Sequence, residues 1–203
     1  METIKEIINS SEDTFDKYSK AVSSKIYCAL PAIIESVNYT NQTLEAKPVT
    51  IMKSNDIHGV QSDVSMPLLV DVPFQCYKGN NYSVTVPVHA GDECLIIFTD
   101  VDFSAWFQNG GFNYAEHGFI HSYSNAMAIV GFSSEVNAIP NYNPNAIEIR
   151  NSDGSEKISL SSGNITLKSA TITLDGETTI QGRKFLEHIH GNGNQGANTT
   201  GVQ

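Results

Sequence analysis

The apolar residues of the chain follow three rhythms in succession. Over residues 3–25, Ile4, Ile7, Ile8, Phe15, Tyr18 and Val22 fall near a spacing of three and four, which predicts an N-terminal helical segment spanning residues 1–25. The stretch Ser10-Ser11-Glu12-Asp13 interrupts that rhythm and fits the capped start of a second helical piece. Such a segment either docks on the body or meets copies of itself. From residue 26 the spacing shortens to two. Ala32-Ile33-Ile34-Glu35-Ser36-Val37 and Leu44-Glu45-Ala46 read as strands joined by a polar Asn38-Tyr39-Thr40-Asn41 turn. Leu68–Val72, Ser83–Val88, Glu93–Thr99 and Ala126–Val130 are further strands, with Gly91-Asp92 as a turn and Pro87 at an edge or strand end. About five strands in roughly a hundred residues predict a small Greek-key barrel of the oligonucleotide/oligosaccharide-binding type over residues 26–139. Nearly all aromatic residues lie here, which places the monomeric core in this part. The barrel fixes no ligand, because that architecture hosts many functions.

The third rhythm follows a Pro- and Asn-rich linker at 140–146. Residues 143–184 hold no aromatic residue and repeat an apolar pair around one polar residue: Ile147/Ile149, Ile158/Leu160, Ile165/Leu167 and Ile172/Leu174, with Ile180 continuing. The last three pairs start 7 residues apart. Side chains at i and i+2 share one face of a strand. A unit so short has nothing of its own to bury that face against, so it must stack on neighbours. A single-chain β-helix needs a hexapeptide period and longer coils. The spacing therefore predicts an intertwined β-helix over residues 147–187, shared by three chains, with the Ile/Leu pairs filling the axis of a triangular prism. Burial is worth about 1.5–3 kcal/mol per side chain, on the order of tens of kcal/mol for the assembly before entropy is subtracted. The competing reading is a plain β-meander packed on the barrel, which would normally draw on aromatic and mixed-size residues.

Directly after the repeat comes Lys184-Phe185-Leu186-Glu187-His188-Ile189-His190-Gly191. His188 and His190 lie on one face of an extended strand. Two imidazoles in a monomer are a weak metal site, but three-fold symmetry brings six to one axis. Imidazole is a good ligand for several transition metals. Zinc prefers four ligands in a tetrahedron, so an octahedral cage of six nitrogens favours an iron ion, one per trimer, with another transition metal as the alternative. A cage closed by protein nitrogens alone is structural, capping the end of the prism at an apex spanning residues 188–203. His58, His89, His117 and His121 are scattered and read as surface or satisfied core residues. Cys28, Cys76 and Cys94 have no metal or redox spacing and read as buried free thiols.

Charge narrows the partners. Lys and Arg number 12 against 22 Asp and Glu, a net charge of −10. Of these, residues 1–144 hold 7 basic and 16 acidic groups, and residues 145–203 hold 5 and 6, so the acidity belongs to the helical start and the barrel. That balance opposes nucleic-acid binding, which depends on cation clusters, and electrostatic adhesion to anionic lipid. Charged residues make up only 17%, below the ~25% typical of globular chains; Asn, Ser, Thr and Gly supply the polarity instead. The N-terminus shows neither a basic start nor a continuous apolar run, so no signal peptide is expected and the chain is expected to be soluble as made.

The order of barrel, repeat, His-x-His and short Gly/Thr tail resembles the central membrane-puncturing spike proteins of contractile-tailed bacteriophages. His188-Ile189-His190-Gly191 with Thr200-Gly201 resembles their apex signature. His121-Ser122-Tyr123-Ser124-Asn125-Ala126-Met127-Ala128-Ile129-Val130-Gly131-Phe132 resembles their closing barrel segment, with Asn125 where an Asp is common. Pro87-Val88-His89-Ala90-Gly91-Asp92 with Leu95-Ile96-Ile97-Phe98 resembles their Gly-Asp turn and following strand. The resemblance covers roughly residues 30–203. It implies a homotrimer at the baseplate tip of the virion, joined at its barrel end to a tail hub or tail tube protein and making transient contact with the host outer membrane. It implies iron on His188 and His190, and no enzymatic activity. The alternative is a trimeric receptor- or glycan-binding tail protein using the barrel surface. Trp106, Phe107 and Phe112 are then the candidate platform, although core packing is the expectation for them. A hydrolase would need a carboxylate pair in a cleft; Asp100 and Asp102 read instead as solvated loop acids.

Overall fold

The computed structural model describes residues 13–19, 22–23, 26–55, 59–115, 118 and 120–185. The chain divides into two units, Met1–Asn137 and Ala138–Gln203. Of the predicted N-terminal helical segment, residues 13–19 and 22–23 are helical, and Phe15 and Tyr18 on them are exposed.

The first unit is built on five antiparallel strands. β1 (Ala29–Asn38) turns through residues 39–42 into β2 (Thr43–Pro48), and Asn38 fixes the turn by accepting from the amides of Thr40 (3.1 Å) and Asn41 (3.2 Å). β3 (Ile51–Asn55) and β4 (Gln61–Ser65) form a separate hairpin, followed by β5 (Leu69–Pro73). β6 (Tyr77–Gly79) and β7 (Tyr82–Val84) form a second hairpin, and β8 (Glu93–Phe98) and β9 (Ala126–Val130) complete the main sheet. The strand order is β5-β2-β1-β8-β9. The sheet curls until its outer strands approach: Phe74 forms a parallel bridge with Ala128, and the Gln75 amide donates to the Ala128 carbonyl (2.9 Å). The result is a curled half-barrel.

Period-two alternation fixes what lies inside it. Ala32 and Ile34 on β1, Leu44 and Ala46 on β2, Leu69 and Val72 on β5, Cys94, Ile96 and Phe98 on β8, and Ala126 and Ala128 on β9 are buried together. This core is aliphatic. Tyr27, Phe98 and Tyr123 stack at its margin, with the Tyr27 and Tyr123 rings 4.5 Å apart. Of the other aromatic residues Phe74 packs partly against it, whereas Tyr77, Tyr82, Trp106, Phe107, Phe112 and Tyr114 are exposed. Expecting Trp106, Phe107 and Phe112 to pack in the core is therefore incorrect; the interior of a five-stranded curl is narrow and is already filled by Ile, Leu, Val and Ala. Of the three thiols only Cys94 is buried, against the expectation for all of them, and burial pushes its pKa up to about 11. The strand expected at Ser83–Val88 ends at Val84; Val86 and Pro87 lie in the irregular stretch beyond it.

A short helix, α1 (Ser104–Asn109), sits in the long connection between β8 and β9. Asp102 accepts from the Ser104 amide (2.9 Å) at its start and is buried, so it is a structural group rather than the solvated loop acid expected. Asp100 is exposed and lies 3.4 Å from the His121 Nε2.

In the second unit, β10 (Ala146–Arg150), β11 (Lys157–Ser161) and β12 (Asn164–Lys168) form an antiparallel meander, followed by the two-residue strands β13 (Thr179–Ile180) and β14 (Arg183–Lys184). Asp153 accepts from the Ser155 amide in the first connection (2.9 Å). The second is a two-residue turn, Ser162-Gly163, whose glycine at φ 74° occupies the left-handed region. These tight turns pair the strands within one chain, where the repeat alone predicts short strands that lean on other chains.

Truncation at the centre of the first core should be costly. Ile34→Ala is expected to destabilise by about 2–5 kcal/mol in urea denaturation, against less than about 1 kcal/mol for Ile33→Ala on the outer face of the same strand.

Candidate functional site: an uncovered apolar face

The register of the meander decides which side chains share a face. Ile147 pairs with Leu160 and Leu160 with Ile165; Ile149 pairs with Ile158 and Ile158 with Leu167. Directly opposed residues project on the same side, so six aliphatic side chains form two parallel rows on one face. With Ile172, Leu174 and Ile180 they make the nine repeat residues, and every one is between 50% and 73% exposed. A groove of about 490 Å³ runs along Ile149, Ile158 and Leu167 to Ile172 and Leu174.

The opposite face is polar, and it is the better covered of the two. Its central row is Glu148, Ser159 and Thr166, with Ser159 buried and the Glu148 side chain only 8% exposed. Lys157 Nζ donates to Glu148 at 2.8 Å, Ser159 Oγ at 3.3 Å, and Asn143 Nδ2 reaches it from the preceding segment at 3.5 Å. Arg150 reaches the Pro140 carbonyl. The Lys157 hydrogen bond is the main reason that the Glu148 carboxyl titrates below its ordinary range, with Asn143 and Ser159 adding to it against the opposing effect of burial. An ordinary sheet buries its apolar face and wets its polar one. This one satisfies its polar face within the chain and, among the described residues, leaves its apolar face half to three-quarters exposed.

The predicted metal ligands His188 and His190 lie outside the described residues, as do His58 and His117. Among the described residues, no three His, Cys, Asp or Glu side chains cluster as metal ligands would. His89 is exposed and His121 half-buried. Two features escaped sequence reasoning. Glu93 accepts from the Ser134 amide, from Ser134 Oγ (2.8 Å) and from Asn137 Nδ2 (2.8 Å), and the Ser134 amide is the leading cause of its lowered pKa. That clasp ties the stretch after β9 back onto β8; no local pattern signals it, because its partners are about forty residues apart. The second is the bulge at Val70-Asp71 in β5, where Asp71 takes φ 53°.

The Glu148 cluster makes the meander acid-sensitive. A carboxyl whose folded pKa lies below the unfolded value of about 4.3 stabilises fully above that value and progressively less as pH falls through the folded one. Amide-exchange protection of β10 and β11 should therefore drop below about pH 4, and Glu148→Gln should remove that dependence while weakening protection at neutral pH.

A family model for the N-terminal domain of the phage protein Gp138 matches residues 30–131. The match begins within β1 and ends one residue past β9, spanning the whole curled sheet. Comparison with curated proteins finds no match. The chain belongs to the family of phage proteins defined by the Gp138 N-terminal domain.

Proposed function

We propose that this chain is the non-enzymatic central spike of a contractile phage tail, a homotrimer at the baseplate tip that pierces the host outer membrane during injection. The carrying observation is the set of nine exposed Ile and Leu side chains, six of them in two rows on one face of the meander, on a unit whose polar face is already satisfied. Three copies of the meander, each forming one wall of a prism, bury those rows against one another along a common axis. Dense aliphatic packing is stiff, and stiffness is what a piercing element needs. In this reading the β-helical shaft begins with β10–β12 and takes its symmetry from the three chains.

The same proposal makes the curled half-barrel a barrel of the oligonucleotide/oligosaccharide-binding type, supported by its five antiparallel strands and the Phe74–Ala128 bridge between the outer ones. Membership in a phage family supports a virion-associated structural role. The barrel end would join the tail hub or tube. At the other end, His188 and His190 from three chains would hold an iron ion. Two imidazoles at i and i+2, tripled by symmetry, supply six nitrogens, a donor set that fits an octahedral ion. The ion would cross-link the chains where the last strands have no further layer to stack on. Force would come from sheath contraction.

The double variant Ile158→Asn with Leu160→Asn should disperse the trimer in sedimentation velocity, because it places amides on the axis; an unchanged trimer would show that the face is not the interface. The double variant His188→Ala with His190→Ala should keep the trimeric mass and lose iron in elemental analysis. Full metal content in that variant would defeat the assignment of the apex.

A further inference from the structure

Residues 103–115, in the connection between β8 and β9, hold five aromatic side chains and no charged one. No lysine or arginine occurs anywhere between Lys78 and Arg150. We propose that this stretch seats itself in the interfacial layer of a zwitterionic lipid bilayer.

Three observations converge on that surface. The first is where the rings stand. Trp106 and Phe107 are exposed on α1, and Phe112 and Tyr114 stand almost wholly in water beyond it. Phe103 meets Trp106 and Phe107 edge to face, with ring centres 6.5 and 6.4 Å apart, and so holds the helix end of the group in place. Gly110 and Gly111, at φ 66° and 69°, carry the chain from the helix to Phe112 through a left-handed turn that other residues resist. Tryptophan and tyrosine, with an apolar body and a polar edge, are the residues enriched at membrane–water boundaries.

The second is the backbone. Asn109 Nδ2 donates to the Ala105 carbonyl (3.0 Å), and Asn113 Nδ2 to the Gly110 carbonyl (2.7 Å). The Phe107 and Gly110 amides donate to the Phe103 and Trp106 carbonyls (2.9 and 2.8 Å). A polar group drawn out of water without a partner is costly, and these are paired before any lipid arrives. A loop that stays in water gains little from such pairing; one that enters an interface needs it.

The third is charge. With no ionic side chain, the stretch can leave water without desolvating an ion. With no cation, it has nothing to hold an anionic headgroup, and the exposed Asp100 just before it adds repulsion. A zwitterionic surface removes that penalty. Among the described residues no helix is long and apolar enough to cross a membrane, so the contact is interfacial. The stretch belongs to the first unit, so the contact is one of adhesion by the body and rests neither on the trimeric shaft nor on the spike reading.

Trp106 is the single tryptophan of the chain, so its emission reports on the stretch directly. The full chain is titrated with phosphatidylcholine vesicles and, separately, with vesicles of phosphatidylcholine and phosphatidylglycerol in equal parts. With the first, emission should shift to the blue, iodide should quench it less, and the chain should sediment with the vesicles. The anionic vesicles should bind it more weakly. Phe112→Ser should weaken binding by about tenfold or more, at a position exposed enough to leave the fold intact. Gln108→Glu, nearly isosteric, places one charge in the stretch and should weaken binding as well. No shift with phosphatidylcholine would leave the rings to a protein partner and overturn the proposal. Equal or tighter binding to the anionic vesicles, or binding unchanged in both variants, would overturn it too. So would a blue shift that grows with protein concentration in the absence of lipid, which would assign the rings to a second copy.

Discussion

Water on the Ile/Leu face of the C-terminal unit is the constraint from which the rest of the account follows. Full burial of such a side chain is worth about 1.5–3 kcal/mol, and among the described residues each of the nine is left 50–73% exposed. The polar face shows that this is no accident of a loosely organised region. Glu148, Lys157, Ser159 and Asn143 are joined in one hydrogen-bonded cluster, and the turns are closed by Asp153 and Gly163. The sheet is finished on one side and open on the other. The proposed three-fold packing would answer that imbalance, three being the smallest number of copies that can enclose an axis with flat walls.

The first unit solves its own problem differently. Its five strands curl around an interior of Ile34, Leu44, Val72, Ile96 and Phe98, so it needs no second copy to keep those residues dry. The Glu93 clasp then holds the chain where it leaves the sheet, through three donors from Ser134 and Asn137. The first unit thus buries its apolar strand faces internally, and the second leaves its own largely exposed; under the proposed function the one would attach and the other would be shared.

Much of this was legible in the residues, for reasons that can be named. Strands β1, β2, β8 and β9 follow from period-two alternation, because their inward faces must be apolar and their outward faces need not be; β5 departs from it, its bulge setting the buried Leu69 and Val72 three residues apart. The face carrying Ile147, Ile149, Ile158, Leu160, Ile165 and Leu167 follows from the i, i+2 spacing. That the meander hydrogen-bonds within one chain was the competing reading of the repeat, and the turn residues Asp153-Gly154 and Ser162-Gly163 are the local signal for it. The hairpin β3–β4 and the strand β6 were missed; β4 is exposed along its whole length and carries no apolar stripe, although Gly79-Asn80-Asn81 marks the turn between β6 and β7. Aromatic residues misled, since a rule that large apolar groups go inside ignores how little room a narrow curl leaves. Asp71 and Asp102 were invisible as structural groups because their roles depend on a bulge and a helix start, both set by tertiary register. The histidine pair at 188 and 190 rests on sequence and on the symmetry proposed for it.

The mass of the intact chain in solution tests the central claim most directly. Sedimentation equilibrium at micromolar concentration should give three times the 22.1 kDa of one chain, without dissociation on dilution over two decades. A stable species of 22.1 kDa would mean that the aliphatic face is tolerated in water by a single chain, and would contradict the account.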